Sequence, residues 1–171
     1  MIIKTIFITV ILLYTISIYS QNGTKIGDKA PALTVEEWIK GEAINSFDNG
    51  KVYLVEFWGT WCSPCIANIP HLSKIQKKYL NDGLIVIGVA THEFEGRTKL
   101  DDFMLRHGNE MEYRVAYDSN LSMQKDWDGV SEGSDFRLPL CFLIDKNGKI
   151  VFVGHPSEKN LEDLIDNTLK E

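Results

Sequence analysis

The stretch from Val52 to Ala90 constrains the fold of this chain more than any other part of the sequence. VYLVEFW, from Val52 to Trp58, is almost continuously apolar and rich in β-forming residues, which is typical of a strand buried on both faces. Apolar residues then recur at helical spacing between Cys62 and Leu80, and LIVIGVA, from Leu84 to Ala90, predicts a second buried strand. This order of strand, helix and strand predicts a parallel pair of strands joined by a crossover helix.

The rest of the chain predicts further elements of the same α/β domain. PLCFLIDKNGKIVFVG predicts a β-hairpin, because Asn147-Gly148 lies between two β-rich runs and Asn-Gly is the strongest short-range hairpin signal. SEKNLEDLIDNTLK predicts an amphipathic C-terminal helix with Ser157 as its N-cap. No linker divides the chain, so we expect one domain over residues 21–171. The other predicted elements are a short strand over Ala43–Phe47, a helix over Lys99–Arg106, a strand over Tyr113–Asp118 and a helix over Leu121–Trp127.

The N-terminus has the layout of a secretory signal. Lys4 supplies an early positive charge, an apolar run follows from Ile6 to Ile18, and the small residue Ser20 offers a cleavage point. The apolar run is short for a membrane-spanning helix, which needs roughly 20 residues. We therefore expect residues 1–20 to be a signal peptide and the remainder to be exported to a bacterial periplasm. An uncleaved membrane anchor is the alternative, and only in that case would the chain bind a membrane.

The net charge argues against a polyanionic partner. The chain carries a formal charge of −6 at pH 7 and contains no basic cluster. Nucleic acids and anionic lipid surfaces attract basic patches, so we expect no nucleic-acid partner.

Cys62 and Cys65 form a CxxC pair, for which three interpretations compete. A structural zinc site needs four ligands, and neither Cys141 nor the four histidines supply a second close pair, so we expect no metal. A structural disulfide that closes so small a loop would stabilise the fold little. Since three cysteines are also too few for a disulfide scaffold, a redox-active pair is the favoured interpretation.

The predicted position of the pair suits thiol chemistry. Cys62 opens a helix, where unpaired backbone N–H groups and the helix dipole favour a thiolate. Cys65 lies one turn further on, within reach of a mixed disulfide formed at Cys62. Glu56 lies within the apolar strand, where burial would raise its pKa into the range that suits a proton carrier. A glutamate at a partly open strand position is the alternative for Glu56.

These residues resemble the thioredoxin fold, and more closely its exported TlpA-like and ResA-like branch. The resemblance runs from about Lys25 to the C-terminus and rests on FWGTWCSPC, on Pro70 in the following helix and on LPLCFLIDKNGKIVFVG. It implies a central mixed β-sheet flanked by helices. It also implies a periplasmic thiol–disulfide oxidoreductase that reduces protein disulfides, receives electrons from a membrane thiol donor and needs no cofactor.

The resemblance implies a role for each residue of the site. Cys62 resembles the exposed attacking cysteine, Cys65 the buried resolving cysteine, and Glu56 the buried acidic residue of thioredoxins. Pro139 matches the proline whose peptide bond is cis beside the dithiol. The backbone of Leu138 would then pair with an extended substrate. Trp61 would flank the site, either in contact with substrate or only packed against the protein.

Three positions depart from the pattern or have no assigned role. Asn68 replaces a glutamate that ResA-like proteins often carry, which puts a cytochrome-maturation role in doubt. Cys141 is either a small buried apolar residue or a third thiol that acts on the pair. The polar, glycine-rich segment Asp126–Arg137 is either a specificity loop or a simple connection.

Two other classes of function remain as alternatives. A thiol-dependent peroxidase would carry a proline and a Thr or Ser upstream of the attacking cysteine, where this chain has Val55 and Gly59. A non-catalytic binding or chaperone module would not need the WCSPC motif that the chain retains.

Overall fold

A computed structural model describes residues 26–48, 50–128 and 137–171. Within these ranges the chain forms six strands and four α-helices. The strands are β1 Glu37–Lys40, β2 Val52–Trp58, β3 Leu84–Thr91, β4 Arg114–Asp118, β5 Leu140–Ile144 and β6 Ile150–Gly154. The helices are α1 Ser63–Tyr79, α2 Arg97–His107, α3 Ser122–Trp127 and α4 Leu161–Lys170.

The six strands form one mixed sheet in the order β1-β4-β3-β2-β5-β6. β2, β3 and β4 run parallel to one another, whereas β1, β5 and β6 each pair antiparallel with a neighbour. The predicted strand–helix–strand unit, the predicted hairpin and the mixed sheet are therefore confirmed. β2 occupies an inner position, with β3 on one side and β5 on the other.

Strand β2 is buried on both faces, as its apolar sequence predicts. All of its residues are at most 1% exposed. One face packs against helices α1, α2 and α4, and the other packs against α3 and the segment that precedes β1. Because side chains alternate along a strand, Leu54, Glu56 and Trp58 lie on the first face and Tyr53, Val55 and Phe57 on the second.

The predicted strand over Ala43–Phe47 is wrong. The first strand is β1, which lies earlier in the chain and pairs with β4 at the edge of the sheet. The Phe47 ring instead packs edge-on against Tyr53 and Trp127, with ring centroids 4.9 and 6.1 Å away. The segment is thus held by packing of the Phe47 and Ile44 side chains rather than by a strand ladder.

Ser157 is not the N-cap of the last helix. Helix α4 begins at Leu161, after Asn160, so it starts later than the sequence predicts. The Ser157 hydroxyl donates a hydrogen bond to Asn68 Oδ1 at 2.5 Å and so ties this segment to α1. A cap function at Ser157 was a local expectation, and a contact across the fold replaces it.

The segment before β1 covers the outer edge of β6. The Gly27 N–H donates to the carbonyl of Ile150 at 2.7 Å, and the Ile150 N–H donates to the carbonyl of Asp28 at 3.0 Å. These bonds satisfy backbone groups that an edge strand would otherwise expose. The proposed signal peptide, residues 1–20, lies outside the described residues. Among the residues that are described, no helix is long and apolar enough to cross a membrane.

Replacing Leu72 tests the packing of α1 against the sheet. Leu72 is fully buried, so Leu72→Ala should lower the free energy of unfolding of the disulfide form by about 2–5 kcal/mol. Leu105→Ala, at a helix position that is 86% exposed, is the matched control and should change it by less than about 0.5 kcal/mol. Urea unfolding measures both, and equal effects of the two variants would contradict the described packing.

Candidate active site

The Cys62–Cys65 pair lies at the junction between β2 and α1. β2 ends at Trp58, and a short turn closes when the Cys62 N–H donates to the carbonyl of Gly59 at 3.0 Å. Cys62 has an extended backbone and is the N-cap of α1, and Pro64 lies in the first turn of the helix. The prediction that Cys62 opens this helix is therefore confirmed.

The two cysteines form a disulfide. Their sulfur atoms are 2.00 Å apart and their Cα atoms 5.2 Å apart. The Cys65 N–H also donates to Cys62 Sγ at 3.3 Å. Because this N–H is one of the unpaired donors of a helix N-terminus, the Cys62 sulfur lies where a negative charge is stabilised.

The expectation that Cys62 is an exposed cysteine needs correction. Its side chain is only 4% exposed, compared with 1% for Cys65. The bond to Cys65 and the contact with the Cys65 N–H draw the Cys62 side chain back over the first turn of the helix. Cys62 remains the more accessible of the two, but in the disulfide form both are buried.

The Leu138–Pro139 peptide bond is cis, and it lies at the same end of the sheet as the disulfide. Leu140, the first residue of β5, pairs with Phe57 near the end of β2. Pro139 therefore lies beside the end of β2, next to the turn that leads to Cys62, as the family resemblance implies. Leu138 precedes the ladder between β2 and β5, and its side chain packs against buried residues on both faces of the sheet.

Trp61 lies beside the disulfide and is 47% exposed. Its indole N–H donates to the carbonyl of His92 at 2.6 Å, and its ring lies 5.2 Å from the Phe94 ring. Phe94 is itself largely exposed. These contacts tie the tryptophan to the loop that follows β3, while nearly half of its surface remains exposed to solvent.

Glu93 holds the turn before Cys62, a role that the sequence analysis did not identify. Its two carboxylate oxygens accept the Thr60 N–H at 2.7 Å and the Thr60 hydroxyl at 2.5 Å. Glu93 follows the C-terminal end of β3, where functional residues of parallel sheets gather. The position after a parallel strand could therefore have indicated a functional residue from the sequence, but it does not distinguish Glu93 from the neighbouring His92.

Glu56 is buried in the sheet, as expected for a proton carrier. It is 1% exposed, and its strand neighbours are Gly88 on β3 and Cys141 on β5. Burial raises the pKa of its carboxyl well above the usual value. The open strand position that was the alternative is therefore excluded.

Cys141 is a free thiol on the same side of the sheet as the disulfide. It is fully buried and belongs to the core cluster that contains Cys62 and Cys65. Burial raises the pKa of its thiol well above the usual value, and the charges of Glu56 and Glu158 raise it further. A thiol in this setting is neutral at physiological pH and packs as a small apolar side chain.

Asn68 connects helix α1 to the segment before α4. Its side-chain N–H donates to the carbonyl of Pro64 at 2.9 Å, and its Oδ1 accepts the Ser157 hydroxyl. Both ends of the amide are therefore engaged within the protein. Asn68 therefore has a structural contact in this chain.

Three further expectations concern a metal site, Val55 and the segment Asp126–Arg137. In the ranges that the structure covers, no group of three or more His, Cys, Asp or Glu side chains is arranged to hold a metal ion. Val55 packs in the core cluster on the opposite side of the sheet from Cys62. Most of the segment Asp126–Arg137 lies outside the described residues.

The buried Glu56 should make stability depend on pH. Its folded-state pKa is raised, so its contribution to stability is present below about 4.5, the ordinary carboxyl value, and decreases as pH rises toward the folded pKa. In the disulfide form, the free energy of unfolding of the parent should fall relative to Glu56→Gln as the pH rises above about 4.5, until the pH passes the folded pKa. Each pH unit by which the folded pKa is raised adds about 1.4 kcal/mol to this difference.

Urea unfolding at several pH values measures this dependence. Glu95→Gln, at an exposed position, is the control and should follow the parent curve. Parallel curves for the parent and Glu56→Gln would show that Glu56 titrates normally in the folded protein.

Comparison with known proteins identifies the family. The Redoxin family model matches residues 25–168. The thiol-disulfide oxidoreductase ResA of Bacillus anthracis is 32% identical over 144 residues, which are 82% of this chain and 77% of that protein. Protein FixW of Rhizobium leguminosarum is 28% identical over 134 residues, which are 75% of this chain but only 60% of FixW.

A solved structure leads to the same conclusion. A thiol:disulfide interchange protein DsbE from Chlorobium tepidum superposes with a TM-score of 0.69 and 28% identity. The match covers 86% of this chain and 99% of that one. The chain has a thioredoxin-like fold with a CxxC disulfide at the start of α1. It therefore belongs to the Redoxin family and is a thiol–disulfide oxidoreductase.

Proposed function

We propose that this oxidoreductase reduces disulfide bonds in exported proteins, with Cys62 as the attacking cysteine and Cys65 as the resolving cysteine. One observation supports this order above all others. Cys62 is the N-cap of α1 and its sulfur accepts the Cys65 N–H, so a Cys62 thiolate has the more favourable electrostatic setting. Cys62 is also the more accessible of the two.

The reaction proceeds through a mixed disulfide. The Cys62 thiolate attacks one sulfur of the substrate disulfide, and the other substrate sulfur leaves as a thiolate that takes a proton from solvent. The Cys65 thiol then loses its proton, and its sulfur attacks Cys62. The second substrate sulfur leaves and is protonated, so two electrons have passed to the substrate and the enzyme keeps a Cys62–Cys65 disulfide.

Glu56 is the proposed acceptor of the Cys65 proton. It lies on the same buried side of the sheet as Cys65, and each of the two residues is only 1% exposed. The burial that raises its pKa brings it closer to neutral pH, where a carboxyl can both accept and release a proton. Glu56 therefore acts in the resolving step, when Cys65 must become a thiolate.

The substrate segment is held by groups on either side of the disulfide. The Leu138 backbone lies just before the β2–β5 ladder, so an extended substrate segment can pair with it beside Pro139. On the other side, the exposed face of Trp61 provides an apolar surface. The exposure of the Trp61 ring favours substrate contact over internal packing alone.

The carboxylate of Glu56 on the buried side of the pair supports the proposed reducing direction. A carboxylate on the buried side of the sheet disfavours a thiolate there, and dithiols whose thiolate is less stabilised are the stronger reductants. Each cycle leaves a disulfide that must be reduced again. A membrane thiol relay is the proposed donor, and residues 1–20 are the proposed export signal that brings the enzyme to it.

Trapping the mixed disulfide tests the assigned roles. Cys65→Ser should accumulate a covalent adduct between Cys62 and a model peptide that contains one disulfide, because the resolving thiol is absent. Cys62→Ser should form at least tenfold less adduct, and Cys141→Ser should retain turnover. Mass spectrometry without reductant identifies the linked cysteine, and an adduct on Cys65 in Cys62→Ser would reverse the assignment.

The reduction potential of the Cys62–Cys65 pair tests the direction. Equilibration with glutathione or dithiothreitol should give a value near that of thioredoxin, about −270 mV. A value near that of DsbA, about −120 mV, would make the protein an oxidant or isomerase instead. Peroxide consumption with a supplied dithiol would point to the peroxidase alternative. If the Cys62→Ser, Cys65→Ser double variant still bound its protein partner, the result would support the alternative of a non-catalytic binding module.

A further inference from the structure

In the described part of the chain, one carboxylate oxygen of Glu56 and two polar atoms beside it are buried without hydrogen-bond partners. They are Glu56 Oε1, the indole nitrogen Trp58 Nε1 and the phenol oxygen of Tyr113. None of the three side chains is more than 4% exposed. Buried polar groups are costly unless they are hydrogen-bonded, so three such atoms in one place need a physical explanation.

Gly88 brings the three side chains together. In the parallel β2–β3 ladder, Gly88 is the partner of Glu56, and the two positions face the same side of the sheet. A Cβ atom at residue 88 would lie 3.0 Å from Tyr113 Cε2 and 3.1 Å from Trp58 Nε1. The two aromatic rings therefore occupy the space beside Glu56 that a larger residue at position 88 would fill.

The chemistry of the three groups is complementary. The Tyr113 hydroxyl and the Trp58 indole N–H are donors, whereas an ionised carboxylate only accepts hydrogen bonds. The buried residues that the structure describes include no lysine or arginine. Any side-chain donor to the Glu56 carboxylate from this core is therefore a neutral group. Burial raises the pKa of the Tyr113 phenol well above its usual value, and the charge of Glu56 raises it further, which reflects their proximity.

We propose that Tyr113 is a positioning residue for the redox reaction. When Glu56 ionises, the Tyr113 hydroxyl and the neighbouring Trp58 indole N–H, which have no partner among the described residues of the disulfide form, turn to donate hydrogen bonds to its carboxylate. These bonds keep the carboxylate able to accept the Cys65 proton. The proposal rests on the role of Glu56 in the proposed function. Tyr113 loses no proton: the proton passes from Cys65 Sγ to Glu56 and later to solvent.

Other titratable groups lie near Glu56, and their charges could alter its titration. Helix α1 contributes Cys62 and Cys65, which do not titrate while they form a disulfide. Strand β5 contributes Cys141, whose thiol faces Glu56 directly in the ladder. The segment before α4 contributes Glu158, whose charge acts on Cys141. The disulfide form of a Cys141→Ala protein therefore isolates the interaction between Glu56 and Tyr113.

The direct test is a carboxyl titration by NMR. In the disulfide form of the Cys141→Ala protein, the ¹³Cδ resonance of Glu56 reports its protonation. Loss of a donor to the charged form disfavours that form, so Tyr113→Phe should raise the midpoint by about one pH unit. Replacing Tyr113 with 3-fluorotyrosine, a stronger donor, should lower it. A role in packing alone would not move the midpoint in opposite directions.

Tyr79→Phe is the matched control for this titration. It removes another phenol hydroxyl from a buried tyrosine, but at the far end of α1, about 25 Å from Cys62, where the neighbouring charged groups are Lys78 and Asp166. The Glu56 midpoint in Tyr79→Phe should match that of the parent. A midpoint that Tyr113→Phe leaves unchanged overturns the inference, whether or not Glu56 acts in catalysis.

The pH profile of disulfide reduction gives a second readout. Tyr113→Phe should move the acid limb to higher pH by about the same amount, and it should have no further effect in a Glu56→Gln background. An additive effect in that background would overturn the inference. If Glu56→Gln alone leaves the profile unchanged, the proposed role of Glu56 fails, and the NMR titration still decides whether Tyr113 bonds its carboxylate.

Discussion

The complete burial of β2 is the constraint on which the rest of the structure depends. Its residues are covered on both faces, so a shift of one position would exchange the two sets of core side chains. This fixes the place where the strand ends and hence the place where Cys62 begins α1. It also buries Glu56, a carboxylic acid in the middle of the strand, where its charged form is energetically unfavourable.

The direction of the strands explains why the site is built from three distant segments. β2 and β3 are parallel, so the turn before Cys62 and the loop that holds Trp61 leave the sheet at the same end. β5 runs the opposite way, so its first residues, just after Pro139, begin where β2 finishes. Glu93 then links the first two segments through both oxygens of its carboxylate.

Sequence periodicity predicted those parts of the fold that local burial determines. The strand Val52–Trp58, the hairpin at Asn147-Gly148 and the start of α1 at Cys62 were all correct. The strand at Ala43–Phe47 and the cap at Ser157 were wrong, because a packed aromatic ring and a hydrogen bond to α1 outweigh the local preference there.

The site was predictable only where one motif contains it. WCSPC, the acidic residue six positions earlier and the proline before β5 could be recognised in the chain itself. Glu93 and Tyr113 act through partners more than thirty residues away, and no periodicity reports such contacts. The burial of Cys62 likewise depends on its bond to Cys65, which a sequence pattern does not display.

The backbone bonds between Gly27 and Ile150 determine how the molecule would be oriented on a tether. Ile150 starts β6, which runs in the same direction as β2, so Gly27 lies at the end of the sheet where β2 begins. The disulfide lies at the other end, about 17 Å away along the strands. If the N-terminal segment stayed in a bilayer, the chain would enter the domain at the end of the sheet opposite the disulfide. The two cysteine sulfurs would then face away from the lipid.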